Sequence, residues 1–143
     1  MKKVFLCIMT LVMLSCSSDD DSSSLQNAIS FNLDGVEYSI TDYNVMLNPT
    51  NTIYRDVEAS FDNNTKKIKF SVLVGEANEI YEFALIIDDV YYLSYPNFTG
   101  GERETSITTH TDSKMEGAFD ITIVDTNWEP LYVFTNGVIN IDY

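Results

Sequence analysis

The stretch from Asp56 to Val74 sets the tightest limit on the fold. Val57, Ala59 and Phe61 alternate with Asp56, Glu58 and Ser60. After the polar residues Asp62 to Thr65, Ile68, Phe70, Val72 and Val74 alternate with Lys67, Lys69, Ser71 and Leu73. Successive side chains of a strand point to opposite faces, so a period of two means one buried face and one wet face. A helix would scatter the same residues around its circumference. Two such runs about a short polar turn predict an antiparallel hairpin within a larger sheet.

The rest of the chain beyond residue 27 reads the same way. Ala28 to Leu33 and Val36 to Thr41 flank Asp34-Gly35, and both turn residues tolerate the positive φ of a tight hairpin. Tyr43 to Leu47 is a weaker run that ends at Asn48-Pro49. Ile80 to Ile87 is apolar on both faces except for Glu82, which predicts a central, well-covered strand turning through Asp88-Asp89 into Val90 to Tyr95. Pro96 to Glu102 reads as a loop, and the Thr-rich, β-branched run Thr105 to Thr111 fits an exposed or edge strand. Phe119, Ile121 and Ile123 share one apolar face, and Thr126 to Pro130 is a loop holding the single tryptophan. Leu131 to Thr135 and Val138 to Tyr143 run through Asn136-Gly137, as a second hairpin or as a glycine bulge in one long strand. No amphipathic helix of two turns or more stands out. About nine or ten short strands joined by tight turns imply an all-β, antiparallel β-sandwich, with a small lipocalin-like β-barrel as the alternative.

The first residues have a different character. Lys2 and Lys3 precede an apolar run from Val4 to Leu14, which matches the charged and hydrophobic regions of a secretory signal. The run falls short of the roughly 20 apolar residues that a spanning helix needs. Met13-Leu14-Ser15-Cys16 resembles the lipobox of bacterial lipoproteins, in which the cysteine receives lipid. That resemblance implies removal of residues 1–15 and acylation at Cys16. Each buried methylene contributes about 0.8 kcal/mol, so several acyl chains together anchor firmly to a membrane. Residues 17 to 24 are only serine and aspartate, so 16–27 reads as a solvated tether and 28–143 as a single β-domain. The acidic run also resembles the export signal of surface lipoproteins of Bacteroidota, which implies display outside the outer membrane. A periplasm-facing domain is the alternative.

The chain carries a formal charge of −14, and loss of Lys2 and Lys3 makes the mature form more acidic still. Such a surface repels nucleic acid and anionic membrane, and it also keeps a protein soluble. Cys7 leaves with the signal and Cys16 carries lipid, so no disulfide or thiol chemistry is expected in the domain.

Both ends of the domain resemble a domain-of-unknown-function family found in small Bacteroidota lipoproteins. The likeness rests on Phe31-Asn32-Leu33-Asp34-Gly35-Val36, on Gly117-Ala118-Phe119-Asp120-Ile121, and on the terminal Thr135-Asn136-Gly137-Val138-Ile139-Asn140-Ile141-Asp142-Tyr143. Tyr38 stands where that family often has tryptophan. The resemblance implies an all-β lipoprotein domain and supplies no catalytic residues.

Several residues are candidates for chemistry. His110 is the single histidine, so a histidine-based triad or multi-histidine zinc site lacks partners; on a Thr-rich edge strand it reads as solvated. Glu82 lies in an apolar strand where burial would raise its pKa, and reads as pointing outward or pairing with Lys67 or Lys69. Asp88-Asp89, Asp120 and Asp125 offer oxygen ligands, without the regular spacing of a calcium loop. Tyr91, Tyr92, Tyr95, Phe98, Trp128 and Tyr132 cluster near two loops, and such rings offer flat apolar area with polar tips, suited to sugars or peptides. Tyr91 and Tyr92 must face opposite sides of a strand, so one of them belongs to the core. The chain thus reads as a non-catalytic, lipid-anchored binding or structural domain of the cell envelope. Its expected partner is a glycan or envelope protein, with no cofactor and no nucleic acid. A lipocalin-like carrier is the alternative.

Overall fold

The computed structural model of the chain describes residues 27–76, 78–94 and 101–143. Cys16, the signal segment and nearly all of the tether lie outside the described residues, as do Tyr95 and Phe98. Ten strands form: β1 (Ala28–Leu33), β2 (Val36–Ile40), β3 (Tyr43–Leu47), β4 (Tyr54–Phe61), β5 (Lys66–Leu73), β6 (Glu82–Ile87), β7 (Val90–Ser94), β8 (Arg103–His110), β9 (Lys114–Val124) and β10 (Pro130–Asp142). They make two five-stranded antiparallel sheets, ordered β2-β1-β10-β9-β8 and β3-β4-β5-β6-β7. The architecture is a β-sandwich.

Strands consecutive in the chain pair with one another except at two corners, where β2 passes to β3 and β7 passes to β8. β10 returns to pair with β1. The order is therefore that of an up-and-down barrel left unpaired at two corners. The barrel alternative is overturned at those corners, since no ladder joins β2 to β3 or β7 to β8.

The turns follow their residues. Asp34 (φ 51°) and Gly35 (φ 82°), and likewise Asp88 (φ 49°) and Asp89 (φ 63°), take the left-handed pair that matches strand twist in a two-residue hairpin. Along β4 and β5 the expected alternation holds, with Val57, Ala59, Ile68, Phe70 and Val72 in the core. Phe31, Phe119 and Phe134 of the first sheet meet Phe61 and Phe83 of the second, and Phe70 stacks on Phe83. Ring centroids lie 5.3 Å apart for Phe31–Phe61, 5.0 Å for Phe83–Phe134 and 5.5 Å for Phe83–Phe119. The interior is filled by side chains from both sheets, and aromatic edge and tilted contacts hold the layers in register.

Three readings of the strands change. β6 is second from the edge of its sheet, next to β7, rather than central. It begins at Glu82, so the buried Ile80 precedes the strand. Residues 78–80 instead cross the free edge of β8: Ile107 N donates to the Asn78 carbonyl (2.5 Å), and Ile80 N donates to Thr105 Oγ1 (3.1 Å). That contact occupies edge groups that would otherwise be open to pairing. Pro130 opens β10, which is one long strand whose register shifts between Phe134 and Gly137. Asn136-Gly137 is thus a bulge and not a hairpin turn.

Candidate functional site

At the corner between β7 and β8, the end of β9 runs on past its partner, because Arg103 at the start of β8 pairs with Ile121. Thr122 N still donates to the Glu102 carbonyl (2.8 Å), Ile123 is buried and Val124 half-buried, and the turn after them folds back to β10. Between these elements lies an open cleft of about 510 Å3. It is lined by Tyr91, Tyr92 and Leu93 of β7, Ile123 and Val124 of β9, Trp128 of the following turn and Leu131 of β10.

Asp125 builds the turn that presents Trp128. Its Oδ1 accepts the backbone amides of Asn127 (2.8 Å) and Glu129 (3.0 Å), and its own amide donates to the Glu129 carbonyl (2.9 Å). The two amides hold the Asp125 carboxyl below the usual carboxylate range. Within this turn Trp128 adopts φ 67°, a left-handed conformation that a bulky residue rarely takes and that costs about 1–3 kcal/mol. The indole nevertheless stays 51% exposed. Trp128 thus combines a left-handed backbone with a half-exposed ring at an apolar cleft.

Of the six aromatic residues singled out in the sequence, Tyr91, Tyr92 and Trp128 come together in this cleft. Tyr132 stands behind them, edge-on to Tyr92 at 4.9 Å and 72°, and fixes the inner tyrosine. Tyr95 and Phe98 fall outside the described residues. As strand parity requires, Tyr92 packs against the core while Tyr91 is 60% exposed. Leu93, Ile123, Val124 and Leu131 were missed as lining residues. The signal for Ile123 and Val124 was ambiguous, because an apolar strand end looks the same whether it is covered or faces a cleft.

The other candidates fall elsewhere. His110 is buried at 8% exposure, which corrects the solvated reading. Its Nδ1 lies 2.7 Å from the Leu73 carbonyl on the opposite sheet, and Nε2 has no hydrogen-bond partner among the described residues. A carbonyl can only accept, so Nδ1 carries the proton. Burial, reinforced by Arg55, pulls the imidazole below its ordinary pKa although the Leu73 carbonyl opposes this. Glu82 points outward, as expected, but the lysines choose other acids: Lys67 pairs with Glu58 (3.1 Å) and Lys69 approaches Asp56 (3.6 Å).

The buried carboxylate is Asp56, at 4% exposure, and nothing in the alternation marked it out. It accepts Ser71 Oγ (2.7 Å) and both of its oxygens accept Asn48 Nδ2. Among the described residues no group of three or more His, Cys, Asp or Glu side chains is arranged to hold a metal ion. Asp120 Oδ1 instead accepts the Asn136 amide, which pins the bulge of β10. Compared with known families and curated proteins, the chain matches no family model and no curated sequence.

Proposed function

We propose that the protein is a lipid-anchored, non-catalytic binding domain of the bacterial outer membrane, and that the cleft beside β7 is its recognition surface. Cys16 carries the anchor, the acidic and serine-rich segment gives reach, and the sandwich holds the binding walls rigid. The N-terminal pattern supports the anchor. The resemblance to small Bacteroidota lipoproteins supports the same setting, with the domain displayed outside the cell.

The observation that carries the binding reading is Trp128, strained at φ 67° and held over an apolar cleft of about 510 Å3. Concave apolar walls with a few polar groups at the rim are the usual form of a ligand site. Trp and Tyr are also the side chains that most often dominate binding energy. The lining is chiefly apolar, which favours an apolar or aromatic side chain of a peptide or protein partner over a sugar. A lipocalin-like carrier requires a closed barrel around a cavity, and the phenyl rings that fill this interior weigh against it.

Because Trp128 is the single tryptophan, its emission reports on the cleft directly. Peptides selected from a displayed random library against the purified protein are expected to shift that emission on binding. By titration calorimetry, Trp128→Ala and Tyr91→Ala are each expected to raise Kd by at least about tenfold, or 1.4 kcal/mol, with the thermal midpoint unchanged. Unaltered affinity in both variants would remove the cleft from consideration.

A further inference from the structure

The outer face of the second sheet carries a cavity that the cleft reading does not use. Asp56 of β4 pairs across to Ser71 of β5, which pairs across to Glu82 of β6, so three polar side chains form one transverse row. Tyr54 lies two residues before Asp56 on the same face, and Tyr81 stands just ahead of Glu82. The loop after β3 folds over the row. Asn48 Oδ1 accepts Thr50 N (3.0 Å), Thr50 Oγ1 (2.8 Å) and Asn51 N (2.9 Å), while its Nδ2 donates to the buried Asp56 carboxylate. The half-open space is about 310 Å3 and its lining is mainly polar.

Part of this arrangement is structural. Asn48, Asp56 and Ser71 satisfy one another, and together they secure the loop. The Tyr81 and Glu82 side chains have no share in that network, although Tyr81 N donates to the Ser71 carbonyl (2.8 Å). Tyr54 and Tyr81 stack at 4.8 Å and 28° on the wet face of the sheet. Tyr81 remains 45% exposed, and Glu82 makes no ion pair among the described residues. An aromatic platform beside an unspent carboxylate gains nothing for the core.

We propose that this cavity is a second ligand site, which seats one pyranose ring of a neutral glycan. A sugar ring has an apolar face for a tyrosine pair and hydroxyl edges that both donate and accept. The site offers matching groups on its other sides. Glu82 accepts. The Ser71 and Thr50 hydroxyls, whose protons go to Asp56 and Asn48, keep lone pairs for hydroxyl donors. Asn51 Oδ1 is directed to the Ile53 amide (3.4 Å), so its NH2 is left to donate. The volume lies at the lower end of the range of about 300–1,000 Å3 for ligand pockets, which suits a single ring. Glu82 and the acidic surface around it reject uronate and sulfated sugars.

Saturation-transfer NMR and titration calorimetry test this with neutral gluco-, manno-, galacto- and xylo-oligosaccharides, with polygalacturonate as the anionic comparison. At least one neutral series is expected to bind with Kd at or below the low millimolar range, and polygalacturonate is not. Tyr81→Ala and Glu82→Gln are each expected to weaken binding at least tenfold without a change in thermal midpoint, while Trp128→Ala leaves it unchanged. Absence of binding by all four series overturns the proposal. So does sugar binding that survives both Tyr81→Ala and Glu82→Gln, or that is lost with Trp128→Ala, since the sugar would then sit in the other cleft. A cleft that binds no peptide leaves this result untouched.

Discussion

Gly137 faces Phe119 across the β9–β10 ladder at the point where β10 recovers its register after the bulge. Its φ is not in the left-handed region, so the need for glycine there is one of space. A Cβ added at this position would press on the Phe119 carbonyl oxygen and lie 2.6 and 2.7 Å from its Cγ and Cδ1. Phe119 cannot retreat freely, because its ring packs against Phe83 at 5.5 Å and Phe31 at 6.1 Å in the filled core. Overpacking of a dense interior typically costs about 1–3 kcal/mol. With a urea m-value of about 1–3 kcal/mol/M, Gly137→Ala should lower the midpoint by roughly 0.3 M or more at unchanged m. The corresponding fall in thermal midpoint is on the order of 4 °C or more for a domain of this size. Trimming the ring offers an internal check. Phe119→Leu combined with Gly137→Ala should be less destabilised than the sum of the single variants, because the ring clash is relieved while the carbonyl clash remains. A Gly137→Ala midpoint within about 0.2 M of wild type, or strict additivity in the cycle, would refute the reasoning.

Two further predictions concern the two ends of β8. His110 is held neutral in the fold, with its pKa below the usual 6.5. Between that depressed value and 6.5 the unfolded chain binds more protons than the folded one, so stability falls as pH drops through and below about 6.5. The urea midpoint of the wild type should therefore fall more between pH 7.5 and 5.5 than that of His110→Gln, which keeps a donor for Leu73. Equal slopes in the two proteins would sink this account. Arg103, at the other end of β8, spans the β7–β8 corner with a forked guanidinium that donates to Ser94 O (3.1 Å), Ser94 Oγ (3.0 Å) and the Ile80 carbonyl. Burial draws it below the usual arginine range, with Glu79 opposing. Lysine cannot reproduce the fork, so Arg103→Lys should cost about 1.5–3 kcal/mol in chemical denaturation; a loss under about 0.5 kcal/mol would mean that the clamp is dispensable.

The all-β class, most strand positions and the hairpins at Asp34-Gly35 and Asp88-Asp89 were legible in the sequence. The information is local in each case. Alternation along β4 and β5 says which face is apolar, and a turn residue that tolerates positive φ says where the chain reverses. Three of the aromatic residues around the cleft could be named for a similar reason, because tyrosine and tryptophan beside a turn are visible without knowing the fold.

What covers a wet face was decided by residues distant in the chain or by a change of parity. Asp56 and Glu58 look alike, two residues apart on one face of β4, yet only Asp56 lies under the loop that Asn48 pins down. In β8 the register shifts between Ile107 and Thr109. His110 therefore turns onto the buried side with Ile107, although they are three residues apart. The bulge between Phe134 and Gly137 does the same in β10, where Phe134 and Ile139 both reach the core from positions of opposite parity. A single inserted residue exchanges the two faces of every position beyond it. The two open corners are also tertiary outcomes. The order of strands follows from short turns, whereas closure into a barrel depends on whether β7 and β8 approach to hydrogen-bonding distance. Here they do not pair, and the cleft with Trp128 on its rim lies at that corner.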